Sequence, residues 1–137
     1  MKPLSGIRVI DFTTLLPGPL ATLILSEAGA EVIKIERPGG EDIRRSPPFI
    51  NNESVMFAML NRGKRSIEID IKNKSGLEKI IRLIKSSDIV VDQFRPGVME
   101  RIGLGYEKLK ILKKSIIHCS ISGYGQTGPK KYIAAHD

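Results

Sequence analysis

Ile7-Arg8-Val9-Ile10-Asp11-Phe12 leads through Leu15-Leu16-Pro17-Gly18-Pro19 to Leu20, Leu23, Ile24, Ala28 and Gly29, and then to Glu31-Val32-Ile33-Lys34-Ile35-Glu36-Arg37. The first run is short, β-branched and apolar, which suits a strand buried on both faces of a parallel sheet. Pro19 fits the first position of a helix, where a missing N–H costs nothing and φ is already helical. Gly29 stops that helix. The third run, Glu31 to Arg37, is a second strand, so the chain opens with a strand-helix-strand unit. The G-x-G-x-x-G fingerprint is absent, and no nicotinamide or flavin is implied.

Downstream the alternation continues. Gly39 to Asn52 is polar and proline-bearing and reads as a long loop. A helix from Glu53 to Leu60 leads into Asn61-Arg62-Gly63-Lys64-Arg65, whose cations around a glycine make either an anion cradle or a basic turn in water. Strand Ser66 to Ile71 follows. Ser75 and Glu78 form a capping box for a helix with Leu77, Ile80, Ile81 and Ile84 on one face. Asp88 to Phe94 is another strand, followed by a short helix with Met99 and Arg101, a helix from Tyr106 to Lys114, and a strand from Ser115 to Ile121. Cys119 in that last strand is expected to be a small core residue.

Strands alternating with helices in this way predict an α/β fold, a Rossmann-like parallel sheet with helices on both faces. Right-handed connections put all carboxyl ends of such strands on one side. Arg37, Gln93 and Gly123 should therefore share the rim where open α/β sheets bind ligands.

Composition narrows the class. With 137 residues, 41% of them hydrophobic, the chain is one domain in size and able to bury a core. Its one cysteine excludes an internal disulfide framework and fits a reducing compartment. Leu15 to Ile24 is too short and broken to span a bilayer, and Met1-Lys2-Pro3-Leu4 does not begin a signal peptide. The expectation is a cytoplasmic protein without a membrane partner. The net charge of +7 calls for an anionic ligand. Nucleic acid is not expected, because aromatics are limited to three tyrosines and four phenylalanines and the cations are spread along the chain. A phosphorylated small molecule fits better. No metal site is expected.

The chain's last stretch, Gly123-Tyr124-Gly125-Gln126-Thr127-Gly128-Pro129 and then Lys130 to Asp137, leaves the sheet and reaches Ala135-His136-Asp137. A histidine and a carboxylate beyond such a loop can serve as proton acceptor and nucleophile.

Six separated stretches occur in order: Leu4 to Asp11, Leu16 to Pro19, Gly29 to Pro38, Asn61 to Ser66, Arg95 to Val98, and Ser122 to Pro129. Together they resemble the family III CoA-transferases, a group that includes formyl-CoA transferase, carnitine CoA-transferase and α-methylacyl-CoA racemase. The resemblance implies that residues 1–137 form the amino-terminal, Rossmann-like, CoA-binding part of the large domain, with the second domain and the carboxyl-terminal part absent. It implies an acyl-CoA partner, a CoA thioester as substrate and no prosthetic group. Carried over position by position, the CoA contacts are Leu16, Pro17, Arg37, Ile69, Lys72, Gln93, Phe94 and Arg101. The family's interlocked homodimer is not expected of this length of chain.

The same resemblance places His136 and Asp137 at the chemistry. In the transferases the residue matching Asp137 is implied to be the nucleophile. In the racemases a Gly-His-Asp motif supplies a histidine that moves the α-proton, and Ala135-His136-Asp137 favours that branch. The expected function is thus an acyl-CoA racemase or epimerase acting on a 2-methylacyl-CoA, with this chain inactive alone because a second base lies beyond it. The alternatives are a CoA-transferase with an aspartyl nucleophile and a non-catalytic CoA-binding module.

Overall fold

Short β-branched runs, buried on both faces in the central strands, form a five-stranded parallel sheet in the computed structural model, which describes residues 1–134. In chain order the elements are β1 (Arg8–Asp11), α1 (Pro17–Glu27), β2 (Glu31–Glu36), a 3₁₀ turn (Asp42–Arg45), β3 (Phe49–Ile50), β4 (Glu53–Ser54), α2 (Val55–Asn61), β5 (Arg65–Glu68), α3 (Lys74–Lys85), β6 (Ile89–Asp92), α4 (Val98–Arg101), α5 (Tyr106–Leu112) and β7 (Ile117–Ser120). The sheet order is β5-β2-β1-β6-β7, and every pairing in it is parallel. β1 lies at the centre, and the chain winds outward from it first to one side and then to the other. The gap between the carboxyl ends of β1 and β6 is therefore the switch point where such sheets take ligands.

The two faces differ in chemistry. On one, Ile10, Ile33, Ile35 and Val90 pack with Ile80 and Ile84 of α3, Met99 of α4 and Leu109 of α5 into the main core. On the other, Val9, Val32 and Val91 pack with Leu25 of α1, and beside them lie buried polar groups, Asp11, Lys34 and Glu36. Period-2 alternation explains the division, since residues 10 and 33 point one way and residues 11 and 34 the other.

Several local expectations need correcting. Helix α1 begins earlier than Pro19, with Pro17 in its first turn and Leu16 as its N-cap. Its Leu20 and Ile24 are exposed while Thr22 and Leu23 are buried, so the apolar residues of this helix do not mark its inner face. The capping box of Ser75 and Glu78 does not form. Asn73 caps α3 instead, its side chain accepting the Gly76 N–H at 2.6 Å. Asparagine is as good a cap as serine and stands two residues earlier. The polar stretch Gly39 to Asn52 holds the 3₁₀ turn and half of the β3-β4 hairpin. Glu53 belongs to that hairpin, and α2 starts at Val55 behind Ser54, which caps it. Finally, β7 is an edge strand with Ile117 and Cys119 exposed rather than a buried one, so Cys119 is not a core residue.

Candidate functional site

Carboxylates shape the turns that leave the strands. Asp11 Oδ1 accepts the N–H of Thr13 at 2.8 Å, Asp70 Oδ1 that of Lys72 at 2.9 Å, and Asp92 Oδ1 that of Phe94 at 3.0 Å. In each case an aspartate bonds backbone two residues on, the Asx-turn geometry that asparagine and aspartate favour in loops. Glu36 Oε2 similarly accepts the N–H of Glu41 at 3.0 Å. The residues after β1, β5 and β6 are thereby aimed into a common rim.

Two cavities open there. The first, of about 330 Å³, has an apolar floor of Phe12, Ile35, Ile69, Ile71 and Phe94, with Leu15, Arg37, Glu41, Asp42, Asp70 and Lys72 around it. Phe12 and Phe94 lie 6.4 Å apart, tilted at 47°, a normal aromatic contact. The second, of about 430 Å³, is lined by Pro17, Gln93, Phe94, Arg95, Pro96 and the exit of β7 from Ile121 to Gly123, with Lys131, Ile133 and Ala134. Phe94 belongs to both. Gln93 Oε1 accepts the N–H of Gly18 at 2.9 Å, pinning the first turn of α1 to the end of β6.

The expected contact residues divide accordingly. Arg37, Ile69, Lys72 and Phe94 meet in the first cavity, and Pro17, Gln93 and Phe94 in the second. Leu16 is exposed and lines neither, and Arg101 is exposed at the end of α4 and lines neither. Arg37 is largely exposed, donates to Gly40 O at 3.2 Å and pairs with Asp42. Arg37, Gln93 and Gly123 do stand at carboxyl ends of parallel strands, on one rim. His136 and Asp137 lie outside the described residues. Sequence reasoning missed Leu15 and Glu41 as site residues. Nothing in residue type singles out a leucine with φ of +62°, and Glu41 sits in a stretch with no periodicity.

Neither of the two readings left open for Arg62, Lys64 and Arg65, an anion cradle or a basic turn in water, describes the loop fully. Each cation is already taken by a carboxylate: Arg62 by Glu27, Lys64 by Asp11 at 3.3 Å and Arg65 by Glu31 at 3.0 Å. Lys64 points inward, with Pro19 O, Thr22 Oγ1 and Asn61 Oδ1 all within 2.9 Å of its Nζ. Burial pulls its ammonium down to about 8, opposed by Asp11. Glu36 behaves in the opposite sense. Burial alone would raise its carboxyl, but hydrogen bonds from Arg44, Ser66 and the Glu41 N–H outweigh it and hold the group at about 2.

At the far side of the rim Asp92 Oδ2 receives Ser120 Oγ at 2.7 Å and lies 2.7 Å from His118 Nε2. Serine and histidine share one carboxylate oxygen here. Ser120 Oγ also stands 3.2 Å from His118 Nε2, the same nitrogen that faces Asp92, whereas a relay engages serine and carboxylate on opposite ring nitrogens, so the cluster ties β7 to β6 rather than activating Ser120. Among the described residues no group of three or more His, Cys, Asp or Glu side chains is placed to hold a metal ion, and no helix is long and apolar enough to cross a membrane.

A parallel sheet with this order, an apolar rim cavity edged by both cations and carboxylates, and a second cavity beside the switch point define an α/β protein with two cavities at the carboxyl ends of its strands. The chain belongs to CoA-transferase family III, whose family model matches residues 4–137. It is 48% identical over 139 residues to succinyl-CoA:glutarate CoA-transferase of Mus musculus, covering 100% of this chain and 32% of that protein. It is 41% identical to acetyl-CoA:oxalate CoA-transferase of Acetobacter aceti, covering 98% and 35%. Among solved structures it superposes on a CAIB/BAIF family protein from Brucella suis with a TM-score of 0.93 at 38% identity, covering 99% of this chain and 37% of the other. A hypothetical protein from Mycobacterium tuberculosis gives 0.90 at 40% identity, covering 100% and 37%. The chain thus spans about a third of the length of the curated relatives it matches. Both named enzymes are CoA-transferases, and the expectation of a racemase finds no support in them.

Proposed function

We propose that this chain is the CoA-binding portion of an enzyme that moves CoA between carboxylic acids. The observation that carries the reading is the rim itself, a cavity with an apolar floor and the cations Arg37 and Lys72 at its edge, joined through Phe94 to a second cavity. An adenine can lie on Phe12, Ile69 and Phe94 while the phosphates meet Arg37 and Lys72, guanidinium by fork and ammonium as point charge. The pantetheine arm would then cross Phe94 towards Ala134, next in sequence to Ala135-His136-Asp137. At about 330 Å³ the first cavity is at the small end for a ligand site and suits one end of CoA rather than all of it.

In this reading a carboxylate attacks the thioester carbonyl and the CoA thiolate leaves, giving a mixed anhydride. The thiolate then attacks the aspartyl carbonyl, releasing the first acid as its carboxylate and leaving an enzyme-bound CoA thioester, from which the second acid takes CoA by the same two steps in reverse. Asp137 is the carboxylate this chain offers. The relatives' names point to small dicarboxylic acids as acyl partners. His136 favours a second reading, in which its imidazole takes the α-proton of the thioester.

Calorimetric titration of the chain with CoA, 3′-dephospho-CoA and pantetheine tests the binding. Affinity should fall in that order, and equal affinity for pantetheine would remove the nucleotide from the first cavity. In a full-length family member with the same Ala-His-Asp sequence, hydroxylamine should convert an acyl-aspartate to a hydroxamate. Label at the position of Asp137 supports transfer through this residue. Absence of label together with α-proton exchange that is lost on His136→Ala would establish the second reading instead.

A further inference from the structure

Two loops meet at the mouth of the first cavity, and a buried ion pair joins them. Leu15, in the loop after β1, has φ of +62°, a left-handed conformation that an L-residue with a Cβ adopts at a cost in free energy. Its side chain is half exposed and forms part of the cavity wall. Its N–H donates to Glu41 Oε2 at 2.9 Å. Glu41 comes from the loop after β2 and is 3% exposed. Its other oxygen, Oε1, has no hydrogen bond of good geometry but lies 3.0 Å from Lys34 Nζ. Lys34, 1% exposed, donates in turn to Thr13 O at 2.7 Å. The pair Lys34 and Glu41 therefore grips the β1 loop twice, at the Thr13 carbonyl and at the Leu15 amide.

Stability does not explain this arrangement. A buried ion pair loses the hydration of both charges, and a well-packed apolar pair of the same volume is commonly as stable or more so. What an apolar pair cannot do is bond the Thr13 carbonyl and the Leu15 amide. Left-handed residues of this kind persist where their surroundings over-determine them, and they cluster at ligand clamps.

We propose that Glu41 is a positioning residue, which through the Leu15 amide locks Leu15 in its left-handed conformation and so pre-forms the wall of the first cavity for its ligand. The ligand part of this inference rests on the CoA-binding reading above; the conformational part does not. Glu41 also lines the cavity, but its two oxygens are turned to the protein, one to the Leu15 N–H and the other to Lys34. Its effect is to remove the ordering cost that a free loop would impose on binding.

Two altered chains test it, Glu41→Gln and the apolar replacement Lys34→Met with Glu41→Leu, which keeps the volume and removes both charges together. Each is compared with the unaltered chain by hydrogen exchange of the Leu15 amide and by CoA titration. In the apolar replacement the chain should melt cooperatively, the Leu15 amide should exchange faster by roughly tenfold or more, and the CoA dissociation constant should rise by about tenfold, the scale of a lost charged hydrogen bond. Glu41→Gln, which can still accept from Leu15 through a neutral oxygen, should lie between. Unchanged exchange in both altered chains overturns the conformational lock. Freed Leu15 with unchanged CoA affinity overturns its role in binding. If the unaltered chain takes up no CoA, the CoA reading itself fails, and the lock is judged by the exchange measurement alone. If the apolar replacement does not fold, Glu41→Gln carries both readouts, with faster Leu15 exchange and weaker CoA binding supporting the inference and no change in either overturning it.

Discussion

The backbone N–H of Phe94 is held by the side chain of Asp92, two residues earlier, at 3.0 Å. The same carboxylate takes Ser120 Oγ and faces His118 Nε2 through its other oxygen, and Asp92 is 1% exposed. One side chain thus sets the turn that presents Phe94 to both cavities and fastens the edge strand β7.

Replacing it by alanine strands Ser120 and His118 without their acceptor. Asp92→Ala should therefore cost roughly 2–4 kcal/mol in urea unfolding, the sum of a broken buried network rather than of one bond. Asp92→Asn keeps an oxygen for Phe94 and should cost less. Equal losses for the two would mean that charge, not the turn, is what Asp92 contributes.

Acid should weaken the fold through Glu36, which stays ionised in the folded chain long after it would protonate in the unfolded one. Its carboxyl sits at about 2 in the folded chain against an ordinary 4.5. A depressed carboxyl gives stability that is complete above 4.5 and is lost as pH falls towards 2. The contribution is of order 3 kcal/mol at 1.36 kcal/mol per unit. Unfolding free energy measured across that window should fall less steeply in Glu36→Gln than in the parent chain. Parallel pH profiles would show that Arg44 and Ser66 do not hold Glu36 as described.

The apolar face of α3 makes a sharper contrast. Ile80 and Ile84 are fully buried, whereas Ile111 on α5 is 77% exposed. Ile84→Ala should cost about 2–5 kcal/mol through the cavity it leaves, while Ile111→Ala should change little. Chemical denaturation of the two variants checks this directly.

How far these features were legible depends on the signal each residue carries. The sheet was readable because parallel strands buried on both faces leave apolar runs, as in Val9-Ile10 and Val90-Val91, and because Leu77, Ile80, Ile81 and Ile84 recur at helical spacing. The cap of α3 was misplaced because Asn73 and Ser75 are both capping residues and only the chain path chooses between them. Beyond Asn73, a Cβ on Gly76 would stand 1.8 Å from the carbonyl oxygen of Asp70, a constraint that no spacing reveals. The basic loop misled for a different reason. Lys64 looks like a surface cation until β1 brings Asp11 against it, 53 positions away in sequence. Edge position, which exposes Ile117 and Cys119, is a property of strand order and not of composition.

Arg37 is expected to matter for CoA only modestly. Its side chain is 60% exposed and already paired with Asp42, so Arg37→Ala should weaken binding by about 1 kcal/mol, or roughly fivefold. Asp42→Asn frees the guanidinium for a phosphate and should strengthen binding at low salt, an advantage that fades as ionic strength rises. No response to either change in calorimetry would place Arg37 away from the ligand.

Gly18 offers the most local test of the rim. It stands in the first turn of α1, where the exits of β1 and β6 converge. A Cβ there would lie 2.3 Å from Thr13 Cβ and 2.6 Å from Gln93 Oε1. Such distances are far inside contact, and Thr13 is not free to yield, while Gln93 could move only by giving up its bond to Gly18. Thr13 is fully buried and doubly bonded to Asp11, while Gln93 is held by the Gly18 N–H itself. Gly18→Ala must therefore push α1 away from the sheet end or expel Gln93 from its place. Either movement opens the second cavity at Pro17 and Gln93. The expected result is a loss of roughly 1–3 kcal/mol in stability, typical of overpacking. CoA affinity should fall further when Gly18→Ala is made than when Gly6→Ala is, because Gly6 has open space around it and lines neither cavity. Gly6 does have φ of +90°, so its variant carries a conformational cost of its own and controls for stability loss at a distance from the rim. Equal effects of the two on CoA binding, at matched losses of stability, would show that the meeting of α1, β1 and β6 at Gly18 supports the fold without shaping the ligand's path.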